Sequence, residues 1–174
     1  MIENWYALYV LSGTEQKVCE QLLRKNVEAI VPTENRVVRA KSKWTEREYI
    51  LLPGYVFVNI VLCDDIYHTL LNTDGVIRLL GTGATPSPLS EDEAAWIKYL
   101  NSELLEPSTI EFMGGGVYRI ADGVLKNMIN KIEHIDKHHR RVSVNLSIAG
   151  TPHHIKLSYK IYHEDNFKAV LHSF

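Results

Sequence analysis

Two aromatic side chains in one short segment are the residues of this chain best suited to molecular recognition. Tyr55 and Phe57 stand two positions apart in the run LPGYVFV at residues 52–58. Because successive side chains of a strand point to opposite faces, a strand here places both rings on one face and Val56 and Val58 on the other. Such a face can stack on nucleic-acid bases, receive an apolar protein helix, or pack beneath helices of the same domain.

A second set of candidate groups is basic and lies towards the C-terminus. Residues 107–174 hold nine Lys and Arg against six Asp and Glu, and seven of the eight histidines. Residues 1–106 hold ten basic side chains against fifteen acidic ones. This excess of cations favours contact with a polyanion, and ordinary surface variation is the alternative. The candidate side chains are Lys126, Lys131, Lys137, His138, His139, Arg140, Arg141, His153, His154 and Lys156.

Catalysis and metal binding are not indicated by the residue pattern. His134 and His138 have the i, i+4 spacing of zinc ligands on a helix, but turn and strand residues follow Asp136 and no cysteine lies nearby. The glycines at 114–116 are not followed by the Lys-Ser or Lys-Thr pair of a phosphate-binding loop. We therefore expect a protein that is not an enzyme and that uses no metal or other cofactor.

Length and composition agree with one ordinary domain, or one domain plus a small module, in a chain of 174 residues. No apolar run approaches the roughly 18 residues of a membrane span, and the N-terminus lacks the pattern of a secretory signal. Cys19 and Cys63 do not form a CxxC pair, which predicts two reduced thiols. We expect a cytoplasmic monomer with no membrane partner.

The first 80 residues predict the order β-α-β-β-α-β, the split βαβ arrangement of ferredoxin-like domains. Alternating aromatic and branched residues at 4–11 predict a central strand, and Ser12 followed by Glu15 predicts a capping box before a helix of about 14 residues. The other predicted elements are an edge strand near 29–38 interrupted by Pro32, a basic arm at 36–47, a strand at 49–60, a short helix between 64 and 75, and a strand at 76–80.

The C-terminal part predicts a small all-β module, so the expected fold class is α+β. Ser90 and Glu93 form a second capping box before a third helix. Beyond a linker, short strands alternate with turn signals, as in a small barrel. A helical conformation remains an alternative for one segment of this module, because its apolar residues recur at helical spacing. These residues are Val124, Leu125, Met128, Ile129, Ile132 and Ile135.

The complete pattern resembles the NusG family from end to end. The segment from residue 114 to about 162 resembles its KOW domain. The resemblance implies an N-terminal NusG (NGN) domain at 1–101, a linker at 102–111, an SH3-like KOW barrel at 112–164 and a tail at 165–174. The N-terminal resemblance is carried by Trp5, Tyr6, Tyr9, Gly13, Glu15, Val31, Pro32, the run at 52–58, Thr73, Gly75, Val76, Pro88, Leu89 and Ser90.

This resemblance implies that the N-terminal domain binds the clamp helices of the largest RNA polymerase subunit and suppresses pausing and termination. Tyr9, Tyr55 and Phe57 occupy the positions of the family's apolar docking surface. His68 and Thr69 resemble the polar turn by which the RfaH paralogs touch the opposite side of the polymerase cleft.

Within the family the chain is most similar to the specialised LoaP group. Asn127 and Asn130 stand where KOW glycines are expected, and Asn tolerates left-handed backbone better than most residues. The resemblance implies antitermination of long biosynthetic operons, with the KOW domain contacting a structured nascent RNA hairpin through the ten basic candidates. A turn at 138–141 between two strands would present four of them, and a solvated hairpin tip is the alternative.

Two other functions stay open at this point. A general NusG factor would couple polymerase to Rho or to a ribosomal protein. A free RNA-recognition module would use the aromatic strand for base stacking, but Pro53 stands where that signature has Arg or Lys and Ile60 where it has an aromatic residue.

Overall fold

The computed structural model describes residues 2–40, 43–82, 85–101 and 105–162. Lys41 of the basic arm and the predicted tail at 165–174 lie outside the described residues. The chain divides into two compact units. The first unit comprises Met1–Thr33, Ile50–Glu103 and Leu146–His153, and the second comprises Glu34–Tyr49, Leu104–Asn145 and His154–Phe174.

The helices and strands up to residue 101 follow one another in this order: β1 (Asn4–Val10), α1 (Glu15–Arg24), β2 (Glu28–Ile30), β3 (Thr33–Ala40), β4 (Lys43–Ile50), β5 (Tyr55–Ile60), α2 (Asp64–Leu71), β6 (Val76–Leu79), β7 (Gly81–Thr82), β8 (Thr85–Pro86) and α3 (Glu91–Asn101). The remainder consists of β9 (Ser108–Gly114), β10 (Val117–Asp122), a 3₁₀ helix (Val124–Lys131), β11 (Ile132–Asp136), β12 (Arg141–Ile148) and β13 (Thr151–Ile161). The fold is therefore mixed α/β and rich in strands.

The sheet of the first unit has the strand order β2-β5-β1-β6. Once the separate β3–β4 hairpin is set aside, its elements follow the predicted β-α-β-β-α-β series. Helices α1 and α2 pack on the face that carries Leu8, Val10, Val56 and Val58. This packing works because the apolar residues of β1 and β5 alternate with period two, while those of α1 recur at helical spacing.

The start of α1 differs from the predicted capping box. Glu15 is the first residue of the helix and Thr14 precedes it, without a side-chain cap. The buried Glu15 carboxylate instead accepts hydrogen bonds from the backbone N–H groups of Gly13, at 2.8 Å, and Gly54, at 2.7 Å. The helix is 10 residues long, shorter than predicted.

The predicted strand at 49–60 is two strands. Strand β4 ends at Ile50 and β5 begins at Tyr55, with a turn between them. Gly54 in this turn has φ of +85°, a conformation that L side chains rarely adopt and that ends the extended run. The capping box at Ser90 is confirmed, because the Glu93 N–H donates to Ser90 Oγ and the Ser90 N–H donates to the Glu93 carboxylate.

The second sheet has the strand order β10-β9-β13-β12-β11. Its buried side chains include Ile110, Val142, Val144 and Leu157. Strand β9 begins at Ser108, inside the range predicted as a linker. The alternating strand prediction for residues 142–148 is confirmed by β12, whose burial alternates along its length.

The segment with helical spacing forms only the 3₁₀ helix before the chain continues as β11. Val124, Leu125 and Met128 are its buried residues. Asn127 and Asn130 lie within this helix, and neither adopts the left-handed backbone expected of a glycine substitute. That expectation was wrong because the segment is helical rather than a glycine-type turn.

The β3–β4 hairpin belongs to the second unit through a buried carboxylate. Glu34, 2% exposed, accepts hydrogen bonds from the Ser158 N–H at 2.9 Å and from Arg36 Nε at 2.8 Å. Lys160 forms an ion pair with Glu46 at 2.6 Å. Among the described helices, none is both long enough and apolar enough to span a membrane.

Candidate aromatic docking face

The aromatic candidates lie together on the sheet face opposite α1 and α2. The rings of Tyr9 and Tyr55 meet edge to face with centroids 5.8 Å apart, and the strands pair these two residues directly. Tyr55 and Phe57 stack with centroids 6.5 Å apart and an interplanar angle of 14°. The strand parity therefore places the three rings on one face.

The three rings differ in exposure. Tyr9 is 38% exposed, whereas Phe57 is 0% exposed. Tyr55 is intermediate. Phe57 consequently presents no accessible surface, and any effect it has on a partner acts through the position of Tyr55. For Phe57 the structure agrees with interior packing.

The turn before β5 sets the position of Tyr55. The Val10 N–H donates to the Gly54 carbonyl at 2.9 Å, while Glu15 accepts from the Gly54 N–H. A Cβ at Gly54 would lie 3.4 Å from Cε2 of Tyr9. That distance is an ordinary contact, so the glycine is explained by its φ of +85°. The Glu15 carboxylate links this turn to the turn after β1 by accepting from the Gly13 N–H as well.

His153 lies beside Tyr55 in the first unit. Its Nε2 is 3.4 Å from the Tyr55 hydroxyl oxygen, and the ring centroids are 5.1 Å apart. Burial raises the pKa of the Tyr55 hydroxyl, with a smaller contribution from Tyr9, while the charge of Arg78 lowers it. The tyrosine is therefore neutral at physiological pH and can donate a hydrogen bond.

His68 and Thr69 lie on α2, on the other side of the sheet from the rings. His68 is exposed, and its ring meets Tyr67 edge to face at 5.9 Å. The Thr69 hydroxyl donates to the Asp65 carbonyl at 2.8 Å. The structure does not bring these two residues into the aromatic face.

Two of the basic candidates are engaged within the second unit. Arg140 is 7% exposed, and its Cζ lies 4.0 Å from the ring centroid of Trp44. Arg141 Nη1 donates to Ser158 Oγ at 2.9 Å, and burial lowers the pKa of its guanidinium. The turn at 138–141 therefore does not present four free cations.

Two histidines pair with carboxylates. His139 Nδ1 lies 2.8 Å from Asp136 Oδ2, and His154 Nδ1 lies 2.7 Å from Glu133 Oε2. Hydrogen bonds from His139, first from its backbone N–H, lower the pKa of Asp136 to about 2. Of the other candidates, Lys131 is half-buried, and Lys126, Lys137, His138 and Lys156 are exposed.

Sequence reasoning missed two features of the surface. Arg78 on β6 is the register partner of Tyr9, on the side of β1 that faces away from β5 and Tyr55. In the sequence, only the alternation of residues 76–79 could have indicated that Arg78 shares the face of Tyr9. Met113, Val117 and Tyr118 are exposed around the turn between β9 and β10, beside the glycines at 114–116. Among the described residues, no group of three or more His, Cys, Asp or Glu could hold a metal ion.

The split βαβ sheet with its aromatic face and the strand-rich second unit together define a mixed α/β protein. A family model described as "Transcription termination factor nusG" matches residues 3–98. The chain belongs to the NusG family of transcription termination and antitermination factors. Its relatives are transcription factors and not enzymes.

Individual relatives agree with this assignment. The chain is 33% identical to the transcription termination/antitermination protein NusG of Helicobacter pylori J99, over 90% of this chain and 95% of that protein. It is 30% identical to the NusG of Bacillus subtilis 168, over 91% and 97% respectively. A solved structure titled "Domain interaction in Thermotoga maritima NusG" matches with a TM-score of 0.51 and 21% identity, covering 90% of this chain and 93% of that one. At that identity the match shows the fold alone.

Proposed function

We propose that the chain binds the clamp helices of the largest RNA polymerase subunit through an N-terminal NusG domain at residues 1–101. In this proposal it promotes processive elongation and antitermination of long operons in the cytoplasm, as a specialised factor of the LoaP type. Residues 112–164 act as a KOW domain that contacts structured nascent RNA. Family membership supports the coarse function, and the aromatic face supports the docking step.

The exposed contact between Tyr9 and Tyr55 carries the docking proposal. Two rings in edge-to-face contact, one of them 38% exposed, form an apolar seat on this face of the sheet. Aromatic anchors of this kind dominate the energetics of protein interfaces, and an apolar helix is the element that fits a flat aromatic face. Phe57, buried beside Tyr55 on the same strand, supports the seat from the side.

Binding to purified core RNA polymerase tests the docking proposal. Tyr9→Ala and Tyr55→Ala should each weaken binding by about 10-fold or more, as expected for truncated aromatic anchors. Tyr118→Ala is the matched control, because Tyr118 is 39% exposed but lies on β10 in the second unit. Wild-type affinity in both Tyr9→Ala and Tyr55→Ala would exclude this face as the polymerase site.

The RNA proposal depends on the exposed lysines rather than on Arg140. Lys126 and Lys156 are exposed in the second unit and can each neutralise a phosphate. Lys137 is also exposed, and its Nζ lies 4.5 Å from the Phe112 ring centroid. A cation and an aromatic ring together can hold both the phosphate and the base of an unpaired nucleotide.

Titration of the full-length chain with leader RNA hairpins tests this second proposal. Lys126→Ala and Lys156→Ala should each weaken binding and lower the salt dependence of log K by about one unit, because each removes one phosphate contact. Lys17→Ala is the control, since Lys17 pairs with Asp74 in the first unit. Equal affinity for a scrambled hairpin would refute specific recognition of RNA.

A general NusG role is the second candidate, favoured by the exposed apolar residues of the β9–β10 turn. Met113 and Val117 are more than half exposed, which suits a protein partner such as Rho or a ribosomal protein better than RNA. Met113→Ser and Val117→Ser should then abolish that contact and leave RNA binding unchanged. Deletion of the gene should alter transcription globally in this case, and in a single operon in the specialised case.

A further inference from the structure

Arg78 ends a row of side chains that crosses three strands of the first sheet. Tyr9 on β1 is the register partner of Tyr55 on β5 and of Arg78 on β6. Residues paired across neighbouring strands share a face, so the row runs from Tyr55 through Tyr9 to Arg78. The Arg78 Cζ lies 6.0 Å from the Tyr9 ring centroid, and β6 is the outer strand of the sheet.

The guanidinium of Arg78 has no acidic partner among the ion pairs of residues 2–40, 43–82, 85–101 and 105–162. Two large apolar side chains close to this row in sequence are exposed: Leu11, two residues after Tyr9, at 54%, and Ile77, the residue before Arg78, at 48%. An exposed cation at the edge of an apolar patch attracts a carboxylate that arrives with an apolar surface. The same cation would repel a basic one.

The dimensions of the row match one to two turns of a helix. Neighbouring strands lie about 4.8 Å apart, so Arg78 lies about 5 Å from Tyr9 and about 10 Å from Tyr55 across the sheet. A helix rises about 1.5 Å per residue, and side chains about 3, 4 or 7 residues apart share a face. Consider a helix that lies across the strands with an apolar side chain on the two rings. The side chain about 3, 4 or 7 residues further along that helix then lies opposite Arg78.

We propose that Arg78 binds a carboxylate on the polymerase helix that docks on Tyr9 and Tyr55. The carboxylate lies one to two turns along that helix from the apolar residue seated at the rings. This inference rests on the proposed polymerase docking and adds the chemistry of the partner. Arginine suits the role because its planar guanidinium can bind both oxygens of a carboxylate. With rings at one end and a cation at the other, the row also determines the direction in which the helix lies.

Binding of full-length variants to core RNA polymerase at several salt concentrations tests this inference. Arg78→Gln should weaken binding by about 3- to 5-fold and Arg78→Glu by about 10- to 30-fold at ~0.05 M salt, as for a charge at the rim of an interface. Arg78→Lys should retain most of the affinity, although it loses the two-point contact. The differences should shrink at ~0.5 M salt, because screening shortens the range of the interaction.

Arg24→Glu is the matched control, since it makes the same charge change on α1, which packs on the opposite face of the sheet. An equal loss of affinity in Arg24→Glu would show an effect of net charge alone and would overturn the inference. Wild-type binding by Arg78→Glu, with weakened binding by Tyr9→Ala, would also overturn it while leaving the proposed docking intact. Wild-type binding by all of these variants would refute the docking proposal as well.

A charge exchange gives a further, independent readout. If the inference is right, changing one acidic residue of the polymerase clamp helices to lysine should restore the binding of Arg78→Glu. The same polymerase variant should bind the wild-type chain less tightly. Circular dichroism of Arg78→Glu should match the wild type, because the side chain is exposed at the sheet edge.

Discussion

Replacing Phe57 by alanine should destabilise the first unit rather than only impair docking. The ring is 0% exposed and stacks beside Tyr55 on the same face of β5. Truncation of a buried Phe removes its transfer free energy and leaves a cavity, which together cost about 3–5 kcal/mol. Tyr9, at 38% exposed, is a surface site, and Tyr9→Ala should change the free energy of unfolding by less than about 1 kcal/mol.

Thermal and urea unfolding followed by circular dichroism measure this difference. A loss of 3 kcal/mol should lower the melting temperature of a unit of this size by at least about 10 °C. Phe57→Leu is the companion variant, because a smaller change in apolar volume should cost only about 1–1.5 kcal/mol. A Phe57→Ala protein that melts within about 2 °C of wild type would refute the assignment of Phe57 to the core.

This distinction decides how docking is to be tested. A double replacement of Tyr55 and Phe57 by alanine would lower both stability and polymerase binding, and the loss of binding could not be assigned to the surface. Tyr9→Ala and Tyr55→Ala keep the buried ring and change only side chains that reach solvent. Phe57→Leu with normal polymerase binding would confirm that Phe57 is a core residue and makes no direct contact with the polymerase.

Three further predictions concern stability. Ser90→Ala should cost about 1 kcal/mol in urea unfolding because the N–H of Glu93 loses its cap, and unchanged unfolding would contradict this role. The pKa of Asp136 is lowered to about 2, so its contribution is fully present above the unfolded pKa of about 3.9 and is lost as pH falls through about 2; a carboxyl titration midpoint near 4 by NMR would refute the pairing. Gly123→Ala should cost more than about 1 kcal/mol, because Gly123 has φ of +93° and a Cβ there would lie 2.6 Å from the Cα of Ser108; a wild-type melting temperature would exclude this close approach.

Local spacing was sufficient to predict the central strand and the start of the third helix in the first unit. Residues 4–10 form a central strand, and Ser90 caps α3 through Glu93, because local spacing determines both features. Local spacing does not predict a hydrogen-bond partner that lies far away in the sequence. Glu15 has the spacing of a capping box with Ser12, yet it accepts a hydrogen bond from Gly54, 39 residues away.

The basic candidates show the same limit. Composition predicted a cationic second unit, but it could not tell which cations face solvent. Arg140 lies against Trp44, nearly a hundred positions earlier in the chain, and Arg141 is held by Ser158. A guanidinium stacked on an aromatic ring stabilises a fold as readily as it binds RNA, so residue type alone does not separate the two uses.

Tyr55 and Phe57 differ in their neighbours across the sheet because one short strand ends early. Phe57 is flanked on β5 by Ala7 of β1 and by Ile30 of β2, so neighbours cover both of its sides. Strand β2 ends at Ile30, two residues before Pro32, and Tyr55 extends beyond that end with a register partner on β1 only. Proline cannot donate a ladder hydrogen bond, which limits how far β2 can pair along β5. Tyr55 thus lacks on the β2 side the neighbour that Phe57 has there, and a change that lengthened β2 would supply one.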